Sequence, residues 1–184
     1  MNEAFRALNE QCLPGRVILL FEDEASFGRS NKPRNCWCKK GFRPRVPCAH
    51  IREYRHCFGA IEPLTGNKIF AISHKCDTIR MYFFLKMISL AFPDDIIVLV
   101  CDGASWHKNP EIVPYNMIIV NLPTGAPEMN PMEQIWREIR TQGFANVMLP
   151  SLAAVLERLG NTIYSMSRET VKRIAGRDWI LSMV

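Results

Sequence analysis

Long apolar runs are missing from this chain of 184 residues. No stretch approaches the ~20 residues that a membrane-spanning helix requires, so a helical transporter or channel is excluded. The opening segment, MNEAFRALNEQCLPG, lacks the basic-then-apolar order of a secretory signal. It reads as a helix remnant or linker over residues 1–15. Internal repeats and low-complexity segments are also absent. So is any paired Cys-x-x-Cys spacing: the seven cysteines are an odd number in a chain without an export signal, and free thiols of a cytoplasmic protein are expected. Cys36 and Cys38 flank Trp37, with Cys48, His50, His56 and Cys57 nearby. Structural zinc can be imagined there, but the spacing matches no standard zinc motif.

Acid is scarce in one window. Between Arg29 and Arg55 stand nine basic residues (Arg29, Lys32, Arg34, Lys39, Lys40, Arg43, Arg45, Arg52 and Arg55) against one acid, Glu53. This local excess is larger than the net charge of the whole chain, +5, so the remainder is net acidic. A solvated loop would explain it. A phosphate-contacting arm explains it better, because clustered Lys and Arg displace the counterions condensed on DNA. Pro33, Pro44 and Pro47 make residues 28–55 an extended arm rather than a helix.

What is present is a core. Apolar residues make up 48% of the chain, too many for a disordered one, and the length suits one domain, residues 16–184. Residues 16–21 read as a strand buried on both faces, ending where the acidic cluster begins. Residues 55–61 and 68–73 read as two more strands around the turn EPLTGN, giving an antiparallel meander. Asp77 or Thr78 caps a helix to about Ala91, with Ile79, Tyr82, Phe83, Met87 and Leu90 expected to face the sheet. Residues 96–101 form a continuous apolar run typical of a central parallel strand, and 117–121 another. Asn130 and Pro131 open a helix with Met132, Ile135, Trp136 and Ile139 as its apolar stripe. Ser151 caps a further helix, with Leu152, Val155, Leu156, Leu159 and Ile163 on one face. A last helix spans about 168–175. This order describes an α/β domain: a mixed five-stranded sheet flanked by helices.

Three acids stand out against that frame. Asp23 follows the first apolar run, Asp102 follows the fourth, and Glu133 lies just inside a helix. Carboxylates beside buried strands are costly unless paired, and Mg²⁺ or Mn²⁺ is the usual partner of oxygen ligands without thiolate or imidazole company. Two such ions roughly 3.5–4 Å apart can activate a nucleophile and stabilise a leaving oxygen at a phosphodiester. If strands one and four are neighbours, Asp23 and Asp102 meet at the crevice beyond the strand ends. Each acid has a plainer explanation. Glu22 and Glu24 compete with Asp23, although strand alternation puts Asp23 on the side of Val17, Leu19 and Phe21 and separates it from both. Asp102 precedes Gly103 and suits a turn. Glu133 sits where a capping-box glutamate belongs.

The segments FEDEASF, VLVCDGASWH and LPTGAPEMNPMEQIW resemble the three signature segments of mariner-type DDE transposases, in particular those of bacterial insertion sequences. The third is the most specific, with its LP-x-x-x-P-E-x-NP-x-E-x-x-W pattern. CWCKKGFRPRV and HCFGAIEPLTG also resemble that family's arm and second strand, so the likeness covers roughly residues 16–145. It implies an RNase H-like fold and a DNA transposase catalytic domain, with metal-dependent cleavage at transposon ends and strand transfer into target DNA. By the same resemblance Asp23, Asp102 and Glu133 are the catalytic, metal-binding triad. The cofactor is then Mg²⁺ or Mn²⁺, as two ions, with no Ser, Tyr or Cys nucleophile. The arm becomes a DNA-binding clamp through Arg29, Lys32, Arg34, Lys39, Lys40, Arg43 and Arg45, touching a partner subunit. The implied partners are transposon-end and target DNA, with TA targets, in a homodimer of a nucleoid-associated bacterial protein; no membrane and no small-molecule substrate are expected.

Thr124-Gly125-Ala126 departs from the Pro-Tyr-Ser frequent in that family. Only about fifteen residues precede the first strand, where family members carry a helix-turn-helix region, so a catalytic fragment or a separately encoded DNA-binding part is expected. Trp37 is open between anchoring the arm and filling a core, and His107 between a phosphate contact and a structural role. Two other functions fit the same residues: a non-enzymatic DNA-binding or assembly remnant of a transposase, and an RNase H-like nuclease without strand transfer.

Overall fold

A computed structural model describes residues 16–30, 33–47, 50–104, 110–123 and 125–182. The expected five-stranded mixed sheet is present, in the order β3-β2-β1-β4-β5. β1 (Val17–Gly28), β2 (Tyr54–Ile61) and β3 (Lys68–Ser73) form the antiparallel meander. β4 (Ile96–Cys101) and β5 (Met117–Asn121) add parallel to β1. This is the RNase H-like arrangement.

The first strand is longer than its apolar run. β1 continues through the acidic cluster to Gly28, so Asp23 lies inside a strand and not after one. The reason is a change of partner. Val17–Phe21 pair with β4, whereas Phe21–Gly28 pair with β2. A strand in a parallel centre must be apolar throughout, but an antiparallel stretch only has to alternate, and Glu24-Ala25-Ser26-Phe27 does.

Helices cover both faces. α1 (Thr78–Ala91) starts at Asp77, whose side chain accepts from the Arg80 N–H at 3.0 Å. It buries Met81, Phe84, Leu85 and Ile88 against Ile18, Leu20, Ile97 and Leu99. The stripe expected to face the sheet is the outer one: Ile79, Phe83 and Leu90 are 60%, 62% and 70% exposed, and Tyr82 and Met87 are exposed too. α1 is apolar nearly all round, so periodicity alone offered two stripes and tertiary packing chose between them.

The opposite face carries α2 (Met132–Phe144), α3 (Leu152–Ser165) and α4 (Arg168–Ala175). Met132, Ile135, Trp136 and Ile139 of α2 and Val155 and Leu159 of α3 are buried against Leu19, Phe21, Val98 and Val100. Leu152, Leu156 and Ile163 are half-buried. Ser151 caps α3 by accepting from Ala154 N–H at 3.1 Å. A further single turn, α5 (Asp178–Leu181), had no sequence signal; its Trp179 meets Phe21 edge-on.

Candidate active site

The site begins where the β1–β4 ladder stops. Phe21 pairs with Val100, the last residue of that ladder on β4. Two residues beyond that pair stand Asp23, still inside β1, and Asp102, just past the end of β4. Asp23 shares its face with Leu19, Phe21, Ala25 and Phe27, the side covered by α2. Glu22 points to the other face and is fully buried. Alternation along β1 thus separates Asp23 from its acidic neighbours as expected.

α2 is fastened to this point by Asn130. Its amide N–H donates to the Glu22 carbonyl at 2.8 Å, just past the ladder's end, and its Oδ1 accepts from Met132 N–H at 3.1 Å. One buried side chain therefore caps the helix and ties it to β1. The Asn130 backbone N–H already donates to Pro127 O at 3.0 Å, so Glu133 is not needed to close a capping box. Glu133 instead lines a cleft of about 360 Å³ together with Asp23, Asp102, Leu122, Pro127 and Asn130. Asp102 takes the turn role as well, its Oδ1 accepting from Ala104 N–H at 2.9 Å. The turn and the cleft are compatible uses of one carboxylate.

Trp136 has a polar role that its place in the apolar stripe concealed. Its indole N–H donates to Asp23 Oδ2 at 2.9 Å, while its ring packs edge-on against Phe27 and Phe70. Gly59, opposite Asp23 on β2, makes this possible. A Cβ there would lie 2.7 Å from the Trp136 ring and 2.6 Å from Met132. The NP-x-E-x-x-W segment therefore supplies an anchor, a cleft carboxylate and a holder for Asp23 within seven residues.

Burial pushes the Asp23 carboxyl up to about 7. The Glu24 backbone N–H and the Trp136 indole oppose the rise, and the charges of Glu133 and Glu24 add to it. Like charges crowd this cleft, which is the electrostatic condition a divalent cation would relieve. The donors are all carboxylate oxygens, the chemistry of a hard cation such as Mg²⁺ or Mn²⁺. Among the described residues no three carboxylate, imidazole or thiol groups stand together as a preassembled ligand set: the acids share a cleft rather than a closed cage. The same holds for zinc. Cys36 and Cys38 are exposed free thiols, and Cys57 is buried in the core with its thiol pushed up to about 12 by burial.

The described residues between 29 and 53 leave the sheet without regular structure, as expected of the arm. Arg29 is committed at its base, with Glu53 at 2.9 Å and the Leu149 carbonyl at 3.2 Å. Arg34 docks on the end of α2: its backbone N–H meets Asn146 Oδ1 at 2.9 Å and its guanidinium meets Thr141 Oγ1 at 2.7 Å. Lys39, Lys40, Arg43 and Arg45 are exposed. Gly41, at φ 85°, turns the chain so that Phe42 N–H reaches the Lys39 carbonyl at 3.0 Å. Trp37 is fully exposed, which rules out the core role. Lys32, Cys48, Trp106, His107 and Thr124 lie outside the described residues, as do residues 1–15.

Residues 18–155 match the family model described as DDE superfamily endonuclease. The chain belongs to this family. A relative of this DDE endonuclease domain, the uncharacterized protein y4pE/y4sA of Sinorhizobium fredii (strain NBRC 101917 / NGR234), is 34% identical over 95 residues, covering 50% of this chain and 70% of its own length. Among solved structures, the Mos1 strand transfer complex superposes with a TM-score of 0.65 at 12% identity, over 95% of this chain and 54% of the other. The Mos1 mariner paired end complex with Mn gives 0.65 at 11% identity, over 95% and 57%. The shared fold is thus RNase H-like, and the DDE domain spans about half the length of these solved chains.

Proposed function

We propose that this DDE endonuclease domain is the catalytic domain of a bacterial mariner-type transposase, cleaving DNA at transposon ends and joining the freed strand to target DNA. The observation that carries this reading is the convergence of Asp23, Asp102 and Glu133 on one cleft at the end of the β1–β4 ladder. The three serve as the metal-binding, catalytic triad. Bound there, Mg²⁺ or Mn²⁺, as a pair of ions, would supply Lewis-acid stabilisation for the attacking and leaving oxygens of a phosphodiester.

The chain's own residues prepare that chemistry. Trp136 holds one oxygen of Asp23 while Asp23 lines the cleft. Asn130 fixes the distance between α2 and β1, and therefore between Glu133 and Asp23. Residues 16–184 act as one catalytic domain, with the arm as a clamp. Its exposed Lys39, Lys40, Arg43 and Arg45 face DNA, and its exposed Trp37 and Phe42 meet a partner subunit in a homodimer. The site needs no small-molecule substrate. None of the described helices is long and apolar enough to cross a membrane.

A joined-product assay tests the reading. The protein is incubated with Mg²⁺ or Mn²⁺, labelled DNA carrying its own element's terminal repeats, and unlabelled target. Nicked ends and labelled joined products are expected. Cleavage without joining would reduce the function to that of a nuclease. No product with either metal, alongside retained DNA binding, would mark a non-enzymatic assembly protein.

A further inference from the structure

Two helical turns beyond Glu133, the same helix presents Arg140. At 1.5 Å per residue the two positions are about 10 Å apart along the axis and on a similar face. Arg140 is half-buried, with its guanidinium 5.2 Å over the Phe27 ring. It forms no hydrogen bond or ion pair with any of the described residues. It borders a second cleft, of about 370 Å³, lined by Ser26, Ser30, Arg34 and Arg140 over the rings of Phe27 and Phe144. Among the described residues no carboxylate lines this cleft. Burial pulls the Arg140 guanidinium below its ordinary value and the charge of nearby Arg34 pulls the same way, while Glu133 and Asp23 oppose.

A desolvated cation beside a second cation needs an anion. The aromatic floor compensates part of the cost, but a ring accepts none of the guanidinium's in-plane N–H donors. Arg34 keeps donors to spare, since only one nitrogen is engaged with Thr141. Two guanidinium forks over an aromatic floor form a donor set suited to a tetrahedral oxyanion. The pocket also shares both supporting elements with the acid cleft: β1 supplies Asp23 and Ser26, and α2 supplies Glu133 and Arg140.

We infer that Arg140 and Arg34 form a phosphate-binding pocket for the DNA strand whose scissile bond enters the acid cleft, gripping a phosphodiester that neighbours the one cut. This rests on the proposed reading of the chain as a DNA-acting enzyme and adds a site outside the triad. Arg140 lies in α2 rather than in the basic arm, so charge clustering along the sequence does not reveal it.

The test is fluorescence anisotropy with a short labelled duplex of arbitrary sequence, titrated across a range of salt concentrations. Arg140→Gln should weaken binding about tenfold and make the slope of log affinity against log salt shallower by about one. Arg34→Gln, on the other wall, should shallow the slope by the same amount. Arg140→Lys should keep the slope and lose part of the affinity, because an ammonium cannot grip bidentately. Arg158→Gln, an exposed charge on α3, should change affinity less than twofold. Mn²⁺ titration of each variant reports whether the acid cleft is intact. Unchanged affinity and slope in both Arg140→Gln and Arg34→Gln, or effects no larger than those of Arg158→Gln, would overturn the pocket. With Mn²⁺ still bound, that outcome leaves the enzyme reading standing. The reverse outcome, a lost slope with a wild-type protein that neither binds Mn²⁺ nor cuts, upholds the pocket and sinks the enzyme.

Discussion

The two ends of α2 carry opposite charge and are built in opposite ways. At the N-terminal end, Glu133 joins Asp23 and Asp102 in one cleft, where burial and the Glu133 charge both disfavour the Asp23 carboxylate. At the C-terminal end, Arg140 and Arg34 share a cleft with the rings of Phe27 and Phe144, and among the described residues no carboxylate lines it. Between them Trp136 and Ile139 are fully buried and fix the spacing. The acid end is held by directed hydrogen bonds from Asn130 and Trp136. The basic end is held by stacking on Phe27 and by the docked arm. One helix thus spaces a strained negative site from a strained positive one. Such strain is what a cation at one end and a phosphate at the other would relieve.

The sharpest break in that comparison is removal of the acids. Asp23→Asn, Asp102→Asn or Glu133→Gln should each lower cleavage by at least about a thousandfold, since several kcal/mol of charge stabilisation disappear. Circular dichroism should show the fold retained. Full Mg²⁺-dependent cleavage in any of the three would remove that residue from the triad.

Next in size is Trp136→Phe. The ring is largely kept and the N–H to Asp23 is lost. Mn²⁺ affinity should fall about tenfold to a hundredfold, the usual effect of losing a group that orients a ligand. Gly59→Ala should act in the same direction, because its Cβ would press on the Trp136 ring. Wild-type Mn²⁺ affinity in Trp136→Phe would reduce the indole to packing.

A smaller effect concerns pH without metal. The Asp23 carboxyl stands at about 7 in the folded protein against an ordinary 3.8. Between these values the folded state holds a proton that the unfolded chain has released, so stability falls as pH rises through that window. The cost at pH 8 is on the order of 1–3 kcal/mol after allowance for solvent screening. Asp23→Asn should therefore melt higher than wild type at pH 8 without metal, and the difference should vanish near pH 4. Mn²⁺ should erase it too, by stabilising wild type alone. An Asp23→Asn protein that melts no higher at pH 8 would show that the carboxylate is not strained.

Much of this was legible in the chain. The apolar runs of β4 and β5, the meander and the Asn130–Pro131 helix start are where the residues place them, because each rests on a local signal. The three acids were findable from cost and order. What escaped depended on tertiary choice. β1 was read too short because its change from a parallel to an antiparallel neighbour is invisible in one strand's sequence. The outer stripe of α1 was taken for the inner one because both are apolar. Trp136 and Asn130 each carry two roles, and only the one visible in helix periodicity or capping was read. Arg140 is one of two arginines in a mixed helix, and its place over the Phe27 ring beside Arg34 exists only in three dimensions. A tryptophan three residues after a suspected ligand, with an N–H that burial must satisfy, is the local signal that points to the polar role of Trp136.

The most direct measurement of the triad is Mn²⁺ binding followed by electron paramagnetic resonance on wild type, Asp23→Asn and Glu133→Gln at pH 6 and pH 8. Because the Asp23 proton must leave before a cation can take its place, wild type should bind Mn²⁺ more tightly at pH 8 than at pH 6. Asp23→Asn should bind weakly at both pH values, and Glu133→Gln should lose affinity at pH 8. Equal Mn²⁺ affinity in all three proteins, independent of pH, would contradict a metal site built from these acids.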